Sequence, residues 1–152
     1  MDRDLKRFAQ ACRKEVRLYV KEHGQAPPLL CFVPDRTPWG SDLRHAIFTG
    51  FEDAQDHVDV RATIREAIEV ARAPFVAVGR MLAMAADHGK LTSSFALVVI
   101  GPDEVEAWAT SIFRELSGRM VVAPWEPVSF QMPDWAFAQA ALKLVAKEEA
   151  HA

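Results

Sequence analysis

The chain has 152 residues, 50% of them hydrophobic and 26% charged, with a formal net charge of −3. That composition suits one globular domain with an ordinary core over residues 1–152 and argues against a disordered chain. It also disfavours nucleic acid as an obligate partner, because binding phosphates needs a basic surface.

The start, Met1-Asp2-Arg3-Asp4, lacks the apolar core of a signal peptide. No apolar run reaches membrane-spanning length. A soluble, cytoplasmic protein without a membrane partner is therefore expected. Cys12 and Cys31 form neither a metal-type spacing nor a disulfide framework. They read as buried thiols in a reducing compartment.

Residues 2–23 read as the first helix, with Leu5, Phe8, Cys12, Val16 and Tyr19 as its apolar stripe and Gly24 closing it. Its other faces carry seven positive and four negative charges, net +3, which leaves −6 on the remainder. A basic helix on an acidic body suits phosphate, anionic lipid or an acidic partner, although charged faces more often only keep a surface wet. The continuous apolar run 29–33 reads as a buried strand. Residues 34–42, with two prolines, a glycine and two aspartates, read as a loop. Residues 45–51 suggest a second strand weakened at Gly50, and 52–59 form an acidic connector.

Residues 59–88 then show a helical stripe: Ile64, Ile68, Ala71, Phe75, Val78, Leu82 and Ala85. Asp59 suits the N-cap and Gly89 the C′ position. The stripe keeps its register across Pro74, so the pattern predicts one helix of about 30 residues, kinked at Pro74. The competing reading breaks the helix there and makes 75–78 a short strand.

Residues 95–100 form the clearest strand and read as central. Gly101-Pro102-Asp103-Glu104 has the chemistry of a helix start. Val105, Trp108, Ile112, Phe113 and Leu116 follow as its apolar face, and Gly118 ends it. Residues 120–123 read as a strand, and 128–130 as its extension or an edge piece. Pro133-Asp134 opens a last helix, with Trp135, Ala138, Leu142 and Val145 on one stripe and a polar tail from Lys147 that frays.

The expected fold is thus α/β: a small, mostly parallel or mixed sheet of three to five strands with right-handed crossovers, covered by about four helices. The strand–helix–strand–helix order of 95–145 resembles the second half of STAS-type regulatory domains, in element order alone and without a residue motif.

Three constellations bear on function. If the strands at Leu29, Phe95 and Met120 are parallel, their C-terminal ends share one rim, where open α/β sheets bind ligands. That rim would gather Asp35, Arg36, Trp39, Asp103, Trp125 and Glu126. The plainer alternative is that both tryptophans lid the core. Glu52, Asp53, Asp56, His57 and Asp59 offer oxygens to a hard cation, but the spacing lacks the EF-hand glycine and terminal glutamate, so no metal site is expected.

The third constellation is a second apolar row on each of two helices. Ala77, Met81 and Met84 lie behind the stripe of the long helix, and Phe137, Ala141 and Leu144 behind that of the last. Such rows need cover, either inside the chain or across a homodimer axis. Ser41, Ser93, Ser94, Ser111, Ser117 and Ser129 show no nucleophile elbow. Gly101 stands alone after its strand, without a phosphate-loop pattern. No catalytic residue and no cofactor are expected. The reading is a non-enzymatic regulatory or protein-interaction module, homodimeric. The alternative is a small-molecule-binding protein or enzyme using the Trp39 and Trp125 rim.

Overall fold

The first helix forms where its stripe predicts. α1 (Arg3–His23) buries Leu5, Phe8, Ala9, Cys12, Val16 and Val20 on one face. It closes at Gly24, whose φ of 62° is cheap only for glycine and whose N–H donates to the Val20 carbonyl at 2.9 Å. The computed structural model describes residues 3–37, 40–48, 60–85, 91–129 and 135–151.

After α1 come β1 (Leu30–Thr37) and β2 (Gly40–Phe48), an antiparallel pair with a register shift between Pro34 and Asp35. The stretch read as a loop over 34–42 is therefore largely strand, and its turn at 38–39 lies outside the described residues. The acidic connector 52–59 lies outside them too.

The helix expected over 59–88 does not form as one element. α2 (Val60–Ala71) ends in a turn where Arg72 takes the left-handed region, φ 52°. The N–H of Ala73 donates to the Ile68 carbonyl (3.0 Å) and that of Arg72 to the Glu69 carbonyl (3.3 Å). This bond pair closes a Schellman turn. Pro74 then prevents any continuation, and β3 (Val76–Ala85) begins. The competing reading of a strand from 75–78 was thus the right kind of element, but too short. β4 (Leu91–Ile100) returns along the whole of β3, from Val76 opposite Ile100 to Ala85 opposite Leu91.

The helix expected after Pro102 is replaced by strands. Gly101 donates its N–H to the Glu104 carbonyl at 2.8 Å, which makes 101–104 a hairpin turn and sets Ile100 opposite Val105. β5 (Val105–Thr110) pairs with β4, and β6 (Ile112–Arg114) with β7 (Met120–Val122) in a separate two-stranded sheet. β8 (Glu126–Val128) pairs with β5 at the edge of the main sheet, and α3 (Ala136–Ala150) ends the described fold.

The main sheet has six strands in the order β2-β1-β3-β4-β5-β8, and every pairing is antiparallel. The expected parallel sheet with about four helices is therefore wrong. There are three helices among the described residues, and the order shared with STAS-type domains does not exist. One crossover survives elsewhere. β2 and β3 each run antiparallel to β1, hence parallel to one another, and α2 makes the connection that such a pair requires. β4 is interior to the sheet, as the run 95–100 predicts.

Alternation along the strands sends side chains to two cores. Leu30, Phe32, Ala77, Phe95, Leu97 and Val99 meet α1 on one face. Cys31, Val33, Val76, Val78, Val98 and Ile100 meet α2 and α3 on the other. The β6–β7 arm is tied to the α1 side: Thr110, itself buried, donates its Oγ1–H to the Ala123 carbonyl at 2.6 Å. No helix among the described residues is long and apolar enough to cross a membrane.

Candidate functional site

α2 and α3 lie side by side and run in the same direction. At their C-terminal ends, Arg72 reaches Glu148 (2.7 Å) and Glu149 (2.8 Å). Their first residues meet at the other end, beside a pocket over the sheet. There Val78 and Leu82 of β3 and Ala96 and Val98 of β4 floor a pocket of about 220 Å³. Trp135 and Phe137 wall it, their rings 5.9 Å apart. Val60 and Leu29 close the remaining sides, and Arg61 and Arg80 stand at the rim.

Each wall has a local cause. Trp135 occupies the N-cap position of α3, and its carbonyl accepts from Ala138 (3.0 Å) and Gln139 (3.1 Å). A tryptophan cannot cap the first turn with its side chain, and none of that kind of bonding is seen, so the ring is free to lie over the sheet. Its indole Nε1 is buried without a hydrogen-bond partner among the described residues. The Arg61 guanidinium lies 5.3 Å from the Phe137 ring centre, a cation–π distance. Arg80 is exposed. The site is an apolar hole with a positive rim, suited to an apolar group carried beside negative charge.

The rim expected from parallel strands is not assembled. Asp35 and Arg36 lie in β1 opposite Asp42 and Ser41 of β2, and Trp39 lies outside the described residues. Asp103 follows β4 at the same end of the sheet, because β1 and β4 both run antiparallel to β3, but its carboxylate faces Lys143 at 3.4 Å. Trp125 and Glu126 are elsewhere. β7 belongs to the other sheet, so the chain re-enters the main sheet at Glu126, opposite Ala109. Trp125 packs edge-on against Phe95 at 6.1 Å on the α1 side.

The two expected interface rows are also separated. Ala77 is buried and Met81 half-buried on the α1 side of the sheet, and the Met84 side chain lies outside the description. Ala141 is buried on the opposite side, Phe137 lines the pocket, and only Leu144 is well exposed. Cys12 and Cys31 are free thiols buried in the two cores. Burial pushes Cys31 up to about 12 and Cys12 well above its ordinary value. Among the described residues no three His, Cys, Asp or Glu side chains gather as a metal would require, and the acidic run 52–59 lies outside them.

The sequence reading missed the pocket because it placed Val78, Arg80 and Leu82 in a helix. One signal was available: Trp135 and Phe137 are two residues apart at a helix start, so one helical stripe cannot bury both. No protein-family model matches the sequence, and no curated protein or solved structure matches the chain.

Proposed function

We propose that the chain is a non-enzymatic protein-interaction module that takes an apolar anchor side chain of a partner, flanked by acidic residues, into the pocket between Trp135 and the β3–β4 floor. The observation that carries this reading is the apolar pocket at the helix starts, rimmed by Arg61 and Arg80. Its size decides between classes of ligand. About 220 Å³ is smaller than the roughly 300–1,000 Å³ of sites that enclose a whole small molecule. It matches one or two anchor side chains, and anchors in such pockets dominate protein recognition. The arginines select the flanking charge and speed encounter with an acidic partner.

The test is a peptide selection against the purified chain, followed by nuclear magnetic resonance mapping. The selected peptides should share an aromatic or aliphatic anchor beside Asp or Glu, and should shift Val78, Ala96 and Val98. Arg80→Glu should weaken them at least tenfold. Peptides that lack this pattern, or that map elsewhere, would overturn the reading.

A further inference from the structure

A second concave surface lies on the other side of the sheet, between the C-terminal half of α1 and the β6–β7 arm. The cleft measures about 660 Å³ and is lined by Arg17 and Lys21 of α1 and by Arg114 and Arg119 of the arm. No carboxylate lines it among the described residues. Arg114 shapes the cleft: its Nη1 donates to the Gly118 carbonyl (2.6 Å) and its Nη2 to the Gly24 carbonyl (3.4 Å), which ties the arm to the end of α1. The side chains of Arg17, Lys21 and Arg119 make no hydrogen bond or ion pair with the described residues.

Arg13, Arg17 and Lys21 follow one another at steps of four, so three cations stack along one helix face. Like charges at that spacing destabilise a helix, so folding alone gives no reason to keep them together. The negative end of α1 also lies here, but it amounts to only about half a charge against four full ones.

Arg13, at the N-terminal end of the row, packs outside the cleft's lining. The Arg13 guanidinium lies 4.1 Å from the Trp108 ring centre. Its Nη1 is buried without a partner among the described residues, as are the Nε1 donors of Trp108 and Trp125. Burial pushes the Arg13 guanidinium below its ordinary value; Cys12 and Glu106 oppose this, and Arg17 adds to it.

The geometry points to a binding site for a small polyphosphate, with the phosphates held between Arg17, Lys21 and Arg119. Arginine forks match phosphate oxygens two at a time, and several phosphates are needed to balance cations spread over a cleft of this size. The apolar wall from Val20 and Met120 to Val122 offers a surface to a nucleoside ring. An extended nucleic acid is disfavoured because the rest of the chain is acidic.

The test titrates the full chain with inorganic tripolyphosphate and separately with ATP, read by calorimetry and tryptophan fluorescence. Tripolyphosphate should bind, and Arg17→Gln with Arg119→Gln should weaken it at least tenfold without changing the thermal melt. Tighter binding of ATP would assign the apolar wall to the nucleoside; equal binding would assign the site to the polyphosphate alone. Arg7→Gln with Lys14→Gln, on another part of α1, and Arg80→Glu at the pocket should leave binding unchanged. Three results overturn the inference: no binding at millimolar ligand, equal weakening by the Arg7 and Lys14 pair, or a single-stranded oligonucleotide that binds more tightly than tripolyphosphate.

Discussion

At Gly79 the fold depends on the absence of a side chain. The glycine lies in β3 opposite Leu97, and the Phe95 ring of β4 lies across it. A Cβ at this position would sit 2.7 Å from the ring's Cζ and 2.8 Å from Cε1. Phe95 has no exposed surface and holds Trp125 edge-on, so the ring has little room to retreat. Overpacking of this kind costs about 1–3 kcal/mol. Gly79→Ala should lower stability by that amount in urea denaturation, and an unchanged midpoint would show that Phe95 moves freely. The thiols make a second prediction. Below about 8.5, the ordinary thiol value, Cys12 and Cys31 are neutral in both folded and unfolded chains, and stability is undiminished. Above it the unfolded chain ionises first, so stability falls as pH climbs toward the folded value, about 12 for Cys31. Both thiols should resist an aromatic disulfide reagent at about pH 8 and react once urea unfolds the chain. Reaction in the native state at the unfolded rate would show that they are not buried.

The elements differ in how far the sequence announces them. α1 was legible because it lies on one face of the sheet and keeps a clean stripe, with Gly24 at its end. β4 was legible because it is buried on both faces and reads as one apolar run. The same property misled at β3. A strand buried on both faces supplies apolar residues at every position from Phe75 to Val78, so a helical stripe continues past Pro74 by default. The turn was visible in principle: Ala73-Pro74 follows the last helical turn, and proline commonly marks that place. Gly101-Pro102-Asp103-Glu104 carries signals for a helix start and for a tight turn alike. The hairpin forms because β5 finds the open edge of β4 and covers Leu97 with Trp108, a long-range gain that no local window contains.

At the scale of the whole molecule, the sheet separates two surfaces of different character. The α1 side carries the cationic cleft, and the excess of positive charge on residues 2–23 was legible from counting alone. The other side carries the apolar pocket, which was not legible, because it needs the parallel arrangement of α2 and α3 over an antiparallel floor. The spare apolar rows from which self-association was expected do not share one face. Ala77 and Met81 face α1, so they cannot share a patch with α3. Among the described residues, Val70 of α2, at 78%, and Leu144 of α3, at 54%, are strongly exposed apolar side chains. The bonds from Arg72 to Glu148 and Glu149 hold the C-terminal ends of the two helices together, so an interface there would be preorganised. If the chain forms a twofold dimer through this surface, each copy presents the same patch to the other, and one charge per helix is repeated across the axis. Val70→Glu with Leu144→Glu should then convert a dimer into a folded monomer with an unchanged melt, because neither side chain belongs to the core. Light scattering at several concentrations reads this directly. A parent chain that stays monomeric at the highest concentration ends the expectation of a homodimer. A double variant that remains dimeric places the interface on another surface, such as β2, at the edge of the main sheet among the described residues.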